Sequence, residues 1–202
     1  MARTNDMGHL LLYGPPGTGK TSSILALARE IFGNDHFRDR VLELNGSDDR
    51  GIAKIRTKVK QYAQCKFKKL PSPAPDFKFI ILDEADNMTI DAQGALRRMM
   101  EDFSKNTRFC IICNYLNKII APISSRCIKL RFKELDNESQ KRQLSKISSI
   151  ERLDLQNSVL ERVVELSKGD LRTAVNTLQL LKGAFGEERL SVKGIDLICD
   201  VL

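Results

Sequence analysis

Most of the chemistry legible in this chain sits in eight residues, Gly14-Pro15-Pro16-Gly17-Thr18-Gly19-Lys20-Thr21. Their spacing, G-x-x-x-x-G-K-[ST], is that of a loop that binds phosphate. Glycines let the backbone turn tightly and aim N–H groups at phosphate oxygens. A helix starting in the loop adds partial positive charge at the same point. Lys20 is suited to the β- and γ-phosphates of ATP, and the Thr21 hydroxyl to Mg2+. A second group follows in Phe79-Ile80-Ile81-Leu82-Asp83-Glu84, an apolar run ending in two carboxylates. Asp83 is placed to hold Mg2+, directly or through water, and Glu84 to polarise an attacking water as general base. A third candidate is Asn114, whose short amide can hydrogen-bond a phosphate or the lytic water. The competing readings are structural: a chance glycine turn, helix capping by the acids, and a turn asparagine after a strand.

These groups meet only if the chain between them brings three strand ends together. Short apolar runs predict strands at Leu10–Tyr13, Val41–Leu44, Phe77–Leu82, Arg108–Cys113 and Ile128–Phe132. Helical patterns lie between them at Thr21–Phe32, Ile52–Cys65 and Asp91–Phe103, with a short piece near Lys118–Ile123. Alternation of this kind predicts an α/β fold with a five-stranded parallel sheet flanked by helices. Its carboxyl edge is where ligands bind. Pro71-Ser72-Pro73-Ala74-Pro75 reads as a stiff loop before the third strand. After Phe132 only helical patterns continue, at Asn137–Ile150, Asn157–Lys168, Asp170–Lys182 and Ser191–Val201. The expected organisation is therefore an ATPase core over 1–132 and a small all-helical lid over 133–202.

With 42% hydrophobic and 29% charged residues, the 202-residue chain has an ordinary globular composition. No apolar run approaches the ~20 residues of a membrane span, and neither a membrane partner nor a secretory leader is expected. Five cysteines, an odd number, argue for a reducing compartment. Cys110 and Cys113 fall three apart in one predicted strand, so their side chains face opposite sides and cannot share a metal. Residues 1–132 hold 22 basic and 14 acidic residues, a net +8, while the remainder carries −1. Arg50 to Lys69 contains eight basic residues and no acidic one, a cluster suited to a polyanion; a solvated basic helix face is the alternative.

Further segments carry a resemblance. Leu42-Glu43-Leu44-Asn45-Gly46-Ser47-Asp48-Asp49-Arg50-Gly51-Ile52, Ala95-Leu96-Arg97-Arg98-Met99-Met100-Glu101, Ile112-Cys113-Asn114-Tyr115 and Ser124-Ser125-Arg126-Cys127 together resemble the small subunits of replication factor C. These are AAA+ ATPases of the sliding-clamp loader. The resemblance implies that Asn114 is the polar sensor of the fourth strand. It implies that Arg126 is an arginine finger completing a neighbour's ATP site, and that Arg172, in Gly169-Asp170-Leu171-Arg172, is the second sensor. It also implies primer–template DNA held through phosphates, with Arg50, Lys54, Arg97 and Arg98 as candidates. The expected partners are the other subunits of a heteropentamer and a sliding clamp of the PCNA type. The expected location is the nucleus in a eukaryote, or the cytoplasm in an archaeon. ATP hydrolysis is expected to be slow in the isolated chain and stimulated by DNA, clamp and neighbours. Gln93 is a weaker candidate for coupling DNA contact to the ATP site, and Val59 to Phe67 for facing the clamp or packing in the core.

Several features depart from that pattern. An N-terminal segment around the adenine and a C-terminal helical collar are expected to be missing. Gly46 and Met100 stand where an alanine and a threonine are expected. Asp83-Glu84-Ala85-Asp86 also spells the tetrad of a helicase class, but Cys113-Asn114-Tyr115 stands where that class has Ser-Ala-Thr. The alternatives are another AAA+ DNA-remodelling ATPase, such as a Holliday-junction motor or helicase loader, and a non-hydrolysing assembly subunit.

Overall fold

The computed structural model describes residues 7–47, 52–65, 75–153 and 155–185, with backbone alone for 52–55 and 184–185. Arg50, the side chain of Lys54, Phe67, nearly all of the proline-rich loop and the Ser191–Val201 helix lie outside the described residues. The chain forms two compact units divided at Phe132 and Lys133, with Pro15–Gly19 grouping with the second.

The first unit is a sheet with helices on both faces. Its strands are β1 (His9–Tyr13), β2 (Val41–Asn45), β3 (Lys78–Asp83), β4 (Thr107–Cys113) and β5 (Cys127–Arg131). All pairs are parallel, in the order β2-β3-β4-β1-β5. The central strands are apolar on both sides because helices cover both. Leu10, Leu12, Phe79, Ile81, Cys110 and Ile112 pack with Ile24, Ala28, Ile31 and Phe32 of α1 (Lys20–Arg40). Leu11, Ile80, Leu82, Phe109, Ile111 and Cys113 share the opposite core with Val59 of α2 (Ile52–Gln64) and with Ala92, Leu96, Met99 and Met100 of α3 (Ile90–Asp102). Val59 is thus core, while Lys58 beside it is exposed.

Two elements differ from the sequence expectation. Helix α1 continues past Phe32 to Arg40, bent at Gly33 (φ 72°, ψ 164°). Gly33-Asn34-Asp35 reads as a helix stop, but a second helical piece restarts and is held by its own side chains. Arg29 stacks over Phe37 at 4.9 Å. Arg40 is buried, donates to Phe77 O at 3.4 Å and pairs with Asp76 at 3.6 Å. The short helix near Lys118–Ile123 is two pieces, a 3-10 turn at Leu116–Lys118 and α4 (Ala121–Ser124), with Pro122 in its first turn. Pro needs no N–H partner there.

Lys78, at the start of β3, is buried with its ammonium on the last carbonyls of α2. It donates to Tyr62 O and Ala63 O, each at 2.7 Å, and to Cys65 O. A cation at a helix C-terminus satisfies the orphan carbonyls and opposes the helix dipole. Burial lowers the Lys78 pKa.

The second unit contains α5 (Asn137–Ile150), α6 (Asn157–Ser167) and α7 (Leu171–Phe185). Asp136 caps α5, accepting from Ser139 N–H at 2.8 Å. Leu144, Val159, Leu160, Val163, Val164, Ala174, Leu178 and Leu181 form its core. Lys168 (φ 47°) and Gly169 (φ 91°) end α6 in left-handed geometry.

Cys110 and Cys113 lie in opposite cores, both about 1% exposed or less, whereas Cys65 is exposed. Burial pushes the Cys113 thiol up to about 12. A thiol reagent at pH 8 should label Cys65 at once, and Cys110 and Cys113 only after unfolding, read by peptide mass mapping. His9 Nδ1 accepts from Phe109 N–H at 3.1 Å, and its ring meets Phe109 edge-on. Burial, and secondarily Arg108, lowers its pKa from 6.5 to about 4. The unfolded chain therefore takes up this proton first as pH falls, and stability drops between pH 6.5 and 4. Denaturant titrations of His9→Gln should show a flatter pH dependence in that window.

Candidate active site

The carboxyl ends of β1, β3 and β4 lie side by side because of the register. Leu82 pairs with Ile111 and Tyr13 with Cys113, so Asp83 and Asn114 flank the start of the loop at Gly14. Gly14 has φ +144°, and a Cβ there would stand 2.0 Å from Phe132 O. Only glycine allows this approach, which Phe132 N–H reinforces by donating to Tyr13 O at 2.8 Å. Gly17 (φ +65°) and Gly19 (φ +87°) are also in conformations that favour glycine. Within the second unit, Thr18 Oγ1 donates to Pro15 O at 2.9 Å and Leu171 N–H to Gly17 O at 3.3 Å.

Lys20 is buried at the first turn of α1. Its ammonium donates to Gly14 O at 2.8 Å and to Asn114 Oδ1 at 2.9 Å. Thr21 Oγ1 donates to Asp83 Oδ2 at 2.7 Å, and Asp83 Oδ1 accepts from Glu84 N–H at 2.8 Å. Glu84 is left-handed (φ 52°), where the chain turns off β3 into a 3-10 turn at Ala85–Asn87. Its Oε2 accepts from Asn87 Nδ2 at 3.2 Å. The structure thus brings together Lys20, Thr21, Asp83, Glu84 and Asn114 from positions up to 94 residues apart. The loop's conformation and the hydroxyl–carboxylate donor set fit a nucleotide with a hard divalent cation.

The other candidates make contacts of their own. Arg126 sits between α4 and β5, 40% exposed at its side chain, on Pro122 O at 2.6 Å and Glu101 Oε1 at 2.7 Å. Arg97 is partly exposed on α3 and also bonds Glu101 Oε1, at 3.2 Å, while Arg98 is exposed. Arg172 is exposed in the first turn of α7, with its N–H donating to Asp170 Oδ1 at 2.8 Å.

Three residues tie these parts together; of them the sequence reading names a coupling role only for Gln93. Asp86 Oδ2 accepts from both Asn114 N–H and Tyr115 N–H, each at 3.2 Å, fixing the end of β4 against the turn after β3. Gln93 is 2% exposed and uses both ends of its amide. Its Nε2 donates to Met88 O at 3.3 Å and Lys118 O at 3.0 Å, and its Oε1 accepts from Ile120 N–H at 2.9 Å. Glu101 joins Arg97 to Arg126. A glutamine in the first turn of a helix, and an acid three and four residues after two arginines, were the available signals.

Among the described residues, no helix is long and apolar enough to cross a membrane. Residues 10–135 match the AAA family, the ATPase family associated with various cellular activities, and residues 142–182 match the RCF1/5-like AAA+ ATPase lid domain. The chain is 50% identical over 200 residues to replication factor C subunit 4 of Homo sapiens, covering 98% of this chain and 55% of that protein. It is 53% identical over 178 residues to replication factor C subunit 2 of Schizosaccharomyces pombe, covering 87% and 52%. The chain therefore spans about half the length of these relatives. The fold also resembles the RuvB Holliday junction branch migration motor of Thermotoga maritima, with a TM-score of 0.71 at 16% identity, over 97% of this chain and 62% of that one. At that identity the likeness concerns the fold alone.

Removing the Lys20 ammonium should weaken nucleotide binding. A charge-assisted hydrogen bond contributes about 1.5–3 kcal/mol, so Lys20→Ala should bind a fluorescent ATP analogue at least ~10-fold less tightly. Fluorescence titration checks this, with circular dichroism to confirm the fold.

Proposed function

We propose that this chain, which belongs to the AAA family of ATPases, binds ATP and acts as a small subunit of a sliding-clamp loader of the replication factor C type. The observation that carries the chemistry is the meeting of Lys20, Thr21, Asp83 and Asn114 at one sheet edge. The clamp-loader assignment rests on the likeness to replication factor C subunits over nearly the whole chain.

In this reading Gly14 to Thr21 hold the triphosphate. Lys20 reaches the terminal phosphates, and the Thr21 hydroxyl and Asp83 would hold Mg2+, which would supply charge neutralisation there. Glu84 takes the proton of the attacking water, and Asn114 orients the phosphate or that water. Arg172 acts as the second sensor. Arg126 serves a neighbouring subunit's nucleotide, so hydrolysis depends on correct assembly. The partial exposure of Arg126 supports that role. Arg97 and Arg98, with Arg50 and Lys54, contact phosphates of primer–template DNA, independently of base sequence. The partners are further subunits in a heteropentamer and a PCNA-type clamp, in the nucleus.

Arg126→Ala should leave nucleotide binding by this chain intact and lower hydrolysis in the assembled complex by about a thousandfold at the neighbouring site. The readouts are calorimetry and phosphate release, with and without primed DNA. Unchanged hydrolysis would refute the finger, and failure to retain a sliding clamp in pull-down would refute the loader.

A further inference from the structure

Glu101 occupies a position that the nucleotide chemistry does not use. One carboxylate oxygen, Oε1, accepts from Arg97 Nε at 3.2 Å and from Arg126 Nη2 at 2.7 Å. Arg126 is held a second time by Pro122 O at 2.6 Å through Nη1. The three side chains are 39–43% exposed, so the network lies at the surface. Glu101 is in the last turn of α3, and Arg97 is one turn earlier on the same face.

We infer that Glu101 is a positioning residue for Arg126 and couples it to Arg97. The inference rests on the proposed role of Arg126 toward a neighbouring subunit. A guanidinium carries five N–H donors in a rigid plane. Glu101 and Pro122 engage its two terminal nitrogens, fix the plane, and leave donors for an incoming phosphate. A long side chain without these holds would lose rotamer freedom on engaging that phosphate, and pre-organisation reduces that loss. An exposed ion pair is weak enough to yield to a more highly charged anion. Arg97 is bound to the same oxygen. A phosphate that draws Arg97 away therefore removes one of the two cations competing for Glu101, and the carboxylate turns fully to Arg126. Occupancy of Arg97 thus sets how firmly the finger is held.

The test uses the assembled complex. Glu101→Ala should lower hydrolysis at the neighbouring site about tenfold, with nucleotide affinity of this chain and its melting temperature unchanged. Glu101→Gln keeps an acceptor oxygen and should recover part of the rate. Without DNA, Arg97→Ala frees Glu101 for Arg126 and should raise hydrolysis at the neighbouring site in the parent complex but not in the Glu101→Ala complex. If Glu101→Ala matches the parent, or hydrolyses faster, while Arg126→Ala is impaired, the positioning role is wrong and the finger stands. An equal rise on Arg97→Ala with and without Glu101, or no rise in either, measured without DNA, would overturn the coupling. If Arg126→Ala itself hydrolyses normally, the underlying assignment of the finger fails, and this inference with it.

Discussion

The buried ammonium of Lys20 is the constraint around which the site is built. Burying a charge costs several kcal/mol unless it is paired and hydrogen-bonded. Lys20 meets that requirement through Gly14 O and Asn114 Oδ1. An ammonium can only donate, so the oxygen of Asn114 must face it. The same requirement sets the register, because β1 and β4 must end level for one cation to reach both. The parallel ladder supplies this, with Tyr13 opposite Cys113. Thr21, one residue further along α1, then falls against Asp83 on β3.

Much of this was legible in the sequence because it is local. Gly14 to Thr21 names its own conformation: the residue types at those spacings fit little else. Five apolar runs give five strands, each within a residue or two of its observed ends. Cys110 and Cys113 divide between two cores because strand side chains alternate. The extension of α1 to Arg40 escaped because Gly33-Asn34-Asp35 carries a strong local stop signal, while the restart depends on Asp76 and Phe77, far along the chain.

The contacts that join parts of the site are of the second kind. Asp86 was visible as the fourth letter of an acidic tetrad, yet its partners are the backbone N–H groups of Asn114 and Tyr115, 28 and 29 residues away. No residue type marks a backbone N–H as needing an acceptor. Gln93 spans 25 and 27 residues to Lys118 and Ile120 by the same logic. Glu101 follows Arg97 and Arg98 by four and three residues, but its bond to Arg126 exists only because α4 returns the chain beside the end of α3. Such links follow from topology, and a pattern read along one dimension does not contain them.

The Lys78 tripod has a bearing on how the chain's basic character should be counted. Three carbonyls converge on one tetrahedral ammonium, a geometry that a planar guanidinium cannot copy. Lys20, Arg40 and Lys78 all belong to the surplus of cations in residues 1–132, and all are buried. They still add to the field felt by a polyanion at a distance. They displace no condensed counterions when it arrives, because their ammonium and guanidinium groups are already held by protein acceptors beneath the surface that a duplex can touch. The slope of log affinity against log salt reports only neutralised phosphates, so it will register fewer charges than the net +8 implies.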